Sequence, residues 1–223
     1  MTYPANMWRI TMPQTLEYSD VKKFLIELSE RVVQSKSELD AMDAACGDGD
    51  FGSTMASAFE AARKLLNDET GSDVGVLLSS MGNSILASAG GASGPTVATL
   101  FTEAGKFVKG RRELDLRDLA AMLDVSLQKI RLLGGAKPGD KTLVDALEPA
   151  VNTLKAATTA NLPLQDALDR TAKNAKVGCE STKGLIAKHG KARYLGEQTL
   201  GFVDPGAYLM SLTFATLAAS TKK

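Results

Sequence analysis

The chain is poor in cysteine, in histidine, in β-branched runs and in long apolar stretches, and each shortage excludes something. Its two cysteines, Cys46 and Cys179, lie far apart and fit neither a disulfide framework nor a Cys-based zinc site. A reducing, cytoplasmic setting is expected. Lys plus Arg and Asp plus Glu stand at 26 each, so no net field favours nucleic acid, acidic lipid or another polyanion. Any phosphate recognition must be local. No run of about eighteen apolar residues occurs, and the stretch Met1, Thr2, Tyr3, Pro4 lacks the basic and apolar regions of a secretory signal. The expectation is a soluble, unexported protein with neither nucleic acid nor membrane as partner.

What the chain has is helical periodicity. With 223 residues, 44% of them apolar and 23% charged, it suits one globular domain with a sizeable core. Residues 1–16 carry two prolines and no clear period. They read as an N-terminal arm on a single domain spanning 17–223. Apolar residues three and four apart predict helices over Leu16–Ser37, Ser53–Asn67, Val74–Ser88, Thr96–Lys109, Asp115–Leu133, Thr142–Ala157, Leu164–Lys188 and Pro205–Ser220. The fold class is therefore all-α. Eight helices on short loops suggest an antiparallel up-and-down bundle or barrel. In such a fold alternate loops share an end, which gathers the Asp43 loop, the Gly90 loop, the Gly134–Lys141 loop and the loop before Pro205 at one mouth.

The strongest chemical signal is Asp43-Ala-Ala-Cys-Gly-Asp48-Gly-Asp50-Phe-Gly52. Three carboxylates within eight residues repel one another unless a cation sits among them. Hard oxygen donors with no His or thiolate partner point to Mg²⁺ or Ca²⁺ rather than zinc. Gly47-Asp-Gly-Asp-Phe-Gly52 is literally a G-x-G-x-x-G string, but no apolar strand precedes it and two carboxylates would face a pyrophosphate. An EF-hand beginning at Asp48 would need a bidentate Glu at its twelfth position, where Phe59 stands. The stretch from Gly134 to Thr142 imitates a P-loop, yet Asp140 occupies the lysine's place. Glycine-bearing helix starts at Gly52-Ser53-Thr54, Ser93-Gly94-Pro95 and Asp140-Lys141-Thr142 remain able to offer N–H groups to phosphate. The plainer alternative makes Asp48 and Asp140 helix N-caps; three aspartates in one loop exceed what capping needs.

A kinase acting on a sugar hydroxyl usually needs a base or positioner for it. The only histidine, His189, lies in Lys188-His-Gly-Lys191 and reads as a surface or helix-end side chain. Substrate recognition is then expected on another polypeptide.

Five ordered motifs carry a resemblance. Asp43-x3-Gly47-Asp-Gly-Asp50, Gly90-Gly-Ala-Ser-Gly-Pro95, Gly139-Asp-Lys-Thr142, Tyr194-Leu-Gly-Glu197 and Asp204-Pro-Gly-Ala207 together resemble the L subunit, or nucleotide-binding domain, of dihydroxyacetone kinases. The resemblance implies an eight-helix barrel that binds ADP or ATP with two Mg²⁺ ions held by Asp43, Asp48 and Asp50. It also implies a nucleotide lined by Phe51, Gly52, Ser53, Thr54, Ala92, Ser93, Gly134, Leu143, Asp204, Pro205 and Gly206, with Lys191 near its phosphates or ribose. Two positions depart from the family pattern: Phe51 stands where a histidine is common, and Lys191 where an arginine is common. Lysine keeps the charge but loses the bidentate fork.

By the same resemblance, the hydroxyketone is held on a separate K subunit (DhaK-type), and this chain is the phosphoryl-transferring half of a glycerone kinase. The donor is either exchanging ATP or a resident ADP rephosphorylated by a phosphoenolpyruvate-dependent phosphotransferase protein (DhaM-type). A homodimer is compatible with either. The alternatives are a subunit acting on another ketotriose or ketotetrose, a non-catalytic nucleotide-sensing module docked on a regulator, and a purely structural bundle.

Overall fold

Several helices begin or end where the sequence supplies partners for the backbone groups that a helix leaves unbonded. The computed structural model describes residues 15–91 and 93–222. Among them are nine α-helices: α1 (Tyr18–Gln34), α2 (Lys36–Cys46), α3 (Phe51–Asp68), α4 (Val74–Ser88), α5 (Ser93–Phe107), α6 (Leu116–Gly134), α7 (Val144–Thr159), α8 (Leu164–Ser181) and α9 (Pro205–Ser220). Asp73 caps α4 by accepting from the N–H groups of Gly75 and Val76. Asp115 and Asp118 form a reciprocal capping box on α6, whose C-terminus is closed by left-handed Gly135. Asp204 caps α9, and Pro205 occupies its first turn, where a missing N–H costs nothing.

Eight helices pack in a closed ring in the order α1, α3, α4, α5, α6, α7, α8, α9 and back to α1. Their apolar faces meet in one core, with Leu25, Leu28, Met55, Leu77, Met81, Leu147 and Leu209 fully enclosed. Hydrogen bonds identify one end of the ring. Lys22 of α1 donates to the carbonyls of Asn67, in the last turn of α3, and Glu69, just beyond it, and Asp73 before α4 accepts from Gly110 beyond α5. Thr158 of α7 donates to Leu116 O at the start of α6, and Gln165 of α8 donates to Ala218 O near the end of α9. Neighbours therefore alternate in direction. The opposite end holds the C-termini of α4, α6 and α8 and the N-termini of α3, α5, α7 and α9, which is the mouth expected from loop alternation.

The structure corrects the predicted elements in three places. The first helix divides: α1 stops at Gln34, and a separate α2 carries Asp43, so that residue is helical rather than in a loop. Periodicity hides α2 because it buries only Leu39 and Cys46. The seventh helix ends at Ser181 instead of Lys188, and residues 182–204 form a strap with three 3-10 turns. Finally, a short two-stranded ribbon accompanies the helices of an otherwise all-α fold. Thr15–Glu17 (β1) pairs antiparallel with Glu113–Asp115 (β2), with Leu16 opposite Leu114. Three-residue strands are too short to show a period of two. Leu16 is buried in the core, so Thr15 and Leu16 belong to the body rather than to the arm; residues 1–14 of the arm lie outside the described residues.

Candidate nucleotide and metal site

Two helices bring the aspartates together. Asp43 lies in the last turn of α2, and Asp50 is the residue preceding the first turn of α3. The Asp43 Oδ2 accepts from the N–H groups of Asp50, at 3.0 Å, and Phe51, at 3.2 Å. The reversal between the helices turns at Gly49, whose φ of 79° favours glycine, and at Gly47, where a Cβ would lie 2.6 Å from the Asp43 Oδ1 and displace that carboxylate. Gly52 allows the approach of the helices themselves, since a Cβ there would stand 2.1 Å from Lys36 O. As a result, one carboxylate oxygen from each of Asp43, Asp48 and Asp50 falls within 4.8 Å of the others.

The electrostatics of this cluster fit a hard divalent cation. Burial, then the nearby charge of Asp48, raise the Asp43 carboxyl against the pull of the Phe51 and Asp50 N–H groups. The Asp48 carboxyl is lowered by its hydrogen bond with the Lys191 ammonium, which outweighs desolvation. Crowded carboxylates with no sulfur or imidazole donor among them match Mg²⁺ chemistry.

The remaining predicted site residues divide by their partners. Phe51 and Gly52 are buried at the start of α3. The Ser53 N–H and hydroxyl both bond to Asp40, and the Thr54 N–H donates to Asp50 O at 2.9 Å. Three of the four N–H groups, those of Phe51, Ser53 and Thr54, are engaged within the protein, so the first turn of α3 has less to offer a phosphate than its sequence suggests. Leu143 lies beside α9, its Cβ 3.2 Å from where a Cβ on Gly206 would be. Asp204, Pro205 and Gly206 form the N-terminus of α9. Ser93 opens α5 and Gly134 closes α6. Ala92 lies outside the described residues.

Sequence reading missed the groups that fasten the strap to the mouth. Asp140, 2% exposed, accepts from Lys137 N, Lys188 Nζ and His189 Nε2. Burial raises its carboxyl, but these three partners more than offset that and hold it below the usual range. His189 is thus bound to a buried carboxylate rather than being a plain surface side chain, and neither Asp140 nor Asp48 is a helix N-cap. Asp145 binds the loop before α7, accepting from Gly139 N at 2.6 Å and Thr142 N at 2.7 Å. Lys141, 3% exposed with φ 59°, sends its ammonium to Thr182 O at 2.6 Å and Phe202 O at 2.5 Å, at the two ends of the strap. The Gly139-Asp-Lys-Thr142 motif marked Asp140 and Lys141 in the sequence, but not their partners on the strap.

With its carboxylate trio, its four helix N-termini and the lysine of its strap, the mouth can hold a divalent cation and polyphosphate oxygens together. Residues 45–219 match the DAK2 domain family. The chain is 33% identical over 193 residues to the ADP-binding subunit DhaL of the PEP-dependent dihydroxyacetone kinase of Escherichia coli, covering 86% of this chain and 92% of that one. It is 32% identical over 192 residues to a DhaL subunit of Listeria innocua, covering 86% and 91%. The crystal structure of the C. freundii dihydroxyacetone kinase in complex with AMP-PNP and Mg²⁺ superposes with a TM-score of 0.70 at 27% identity, over 99% of this chain and 37% of that longer one. By family model and by its DhaL relatives alike, the chain belongs to the DAK2 domain family and is of the DhaL type.

Proposed function

We propose that this chain is the nucleotide-binding, phosphoryl-transferring subunit of a dihydroxyacetone-type kinase, working with a separate K-type subunit that holds a small hydroxyketone. The observation that carries the reading is the convergence of Asp43, Asp48 and Asp50 within 4.8 Å at a mouth built from helix N-termini. Bound Mg²⁺, two ions in the reading from resemblance, supplies charge dispersal over the transferring phosphoryl oxygens. The chain's own part is positioning. Asp43 is fixed by two backbone N–H groups, and the N-termini of α5 and α9, with Ser93 and Asp204–Gly206, direct positive dipole ends toward the phosphates. Leu143 offers the nucleotide an apolar wall, and Lys191 lies beside the acidic cluster.

No base for the acceptor hydroxyl is needed here if the acceptor arrives on a partner. The sole imidazole, that of His189, is already held by Asp140. Exposed Leu132, Leu133, Tyr194 and Phe202 lie around the same mouth, which supports a partner seated over it. Of the two donor modes, we favour a resident ADP rephosphorylated by a phosphotransferase protein, on the near full-length similarity to DhaL subunits of PEP-dependent kinases.

Asp48→Asn tests the assignment. Mg-nucleotide binding by calorimetry and transfer to dihydroxyacetone with a K-type subunit present should both be lost. Full activity in the variant would overturn the reading. Nucleotide released from purified protein should be ADP that added ATP does not displace; free exchange would instead assign direct use of ATP.

A further inference from the structure

The strap is a loop closed at its neck and free at its tip. At the neck Lys141 bonds both Thr182 O and Phe202 O, Gly201 N donates to Lys183 O, and Asp204 N donates to the Thr182 hydroxyl. In mid-strap Asp140 holds Lys188 and His189. The tip, residues 191–195, lies between Gly190 and Gly196, which have φ of 61° and 56°, a left-handed conformation that glycine adopts without cost. Within that tip the Lys191 side chain is 72% exposed. Its one described polar partner is Asp48, so little besides the carboxylate cluster fixes it.

Resting on the cation-site reading above, we propose that Lys191 is the built-in counter-ion of the Asp43–Asp48–Asp50 cluster, and that an incoming divalent cation displaces it. Three carboxylates this close need a positive charge, and without metal the Lys191 ammonium supplies it. A dication and an ammonium compete for the same Asp48 oxygens, so metal entry breaks the ion pair and releases the tip between its two glycines. The neck keeps the freed lysine close to the mouth, where phosphate oxygens are its next partner. Metal binding and strap conformation are thereby coupled through one side chain. By linkage, metal and phosphate should each favour the other, since the first frees the cation that the second uses.

Removing the competitor should strengthen metal binding while weakening phosphate binding. Protein stripped of nucleotide, as wild type, Lys191→Met and Asp48→Asn, is titrated with Mg²⁺ and with Mn²⁺ alone by calorimetry, and separately with ADP in saturating metal. Lys191→Met should bind metal alone roughly threefold or more tightly, as loss of an exposed internal ion pair allows, yet bind ADP more weakly. As a second reading, the ring resonances of His189, the only histidine, should move when wild type is titrated with Mg²⁺ and stay near their metal-bound position throughout in Lys191→Met. Unchanged or weaker metal binding in Lys191→Met, with wild type binding normally, overturns the counter-ion proposal alone. Absence of metal binding in wild type overturns the cation-site reading and this proposal together.

Discussion

Asp40 accepts two hydrogen bonds from Ser53, from its N–H at 2.7 Å and from its hydroxyl at 2.8 Å. A carboxylate on α2 thus performs for α3 the service that an N-cap residue usually performs from within the chain, while Asp50, the residue in the cap position, makes no side-chain cap bond. The exchange leaves the Asp50 carboxylate available to the metal cluster.

Asp40→Ala should therefore destabilise the protein by about 1 kcal/mol, the usual cost of losing a cap, and should loosen the cluster by releasing α2 from α3. Burial raises the Asp40 carboxyl, but Ser53 and Lys36 more than offset it and hold it below the ordinary range. Its contribution is consequently intact above the unfolded pKa and lost as pH falls through the folded one. Urea midpoints of wild type and variant should converge on acidification. Equal midpoints at neutral pH would show that the bridge contributes nothing.

The buried ammonium of Lys141 joins the two ends of the strap. Replacement by Met keeps the stem but leaves the Thr182 and Phe202 carbonyls without this donor, a loss of about 2 kcal/mol by the cost of unsatisfied buried acceptors. Trypsin should then cut more rapidly within the strap, after Lys188, Lys191 or Arg193, while the helical circular dichroism of the barrel persists. Unaltered strap cleavage would mean that the neck is held by its backbone bonds alone.

At the head of α9, burial foremost, then the charge of Asp145, push the Asp204 carboxyl up to about 7, even though it accepts from Ala207 N and faces the Lys141 ammonium. The native state thus binds a proton that the unfolded chain gives up near pH 4, and stability should fall as pH rises from about 4 to 7 and level off above. Asp204→Asn, which keeps a capping oxygen, should flatten that slope in metal-free, nucleotide-free protein. Melting temperatures across pH 5 to 8 measure the difference. Parallel curves for the two proteins would contradict the assignment.

The ring of helices was legible because each long helix repeats its apolar residues every three or four positions, and that repeat survives in sequence whatever the neighbours are. Loop alternation followed from the number of helices, and splitting off α2 did not upset it. Between α1 and α2 stands only Ser35, and the ring passes from α1 directly to α3. The acidic trio was legible because carboxylates separated by glycines within eight residues leave a local signature. By contrast, α2 buries too little to show a period, and the β1–β2 ribbon joins residues almost a hundred positions apart through three-residue strands.

The sequence by itself determined the helical class, the loops that share one end of the barrel, and the crowding of Asp43, Asp48 and Asp50 at that end. These depend on local periodicity, chain direction and covalent proximity, all of which are written along the chain. Only the tertiary structure decided that Asp40 caps α3, that Asp140 and Lys141 fasten the strap, and that Lys191 reaches Asp48 from 143 positions away. Such pairings depend on how distant backbones are brought to hydrogen-bonding distance. A side chain's residue type says that it needs a partner, and packing alone chooses which one.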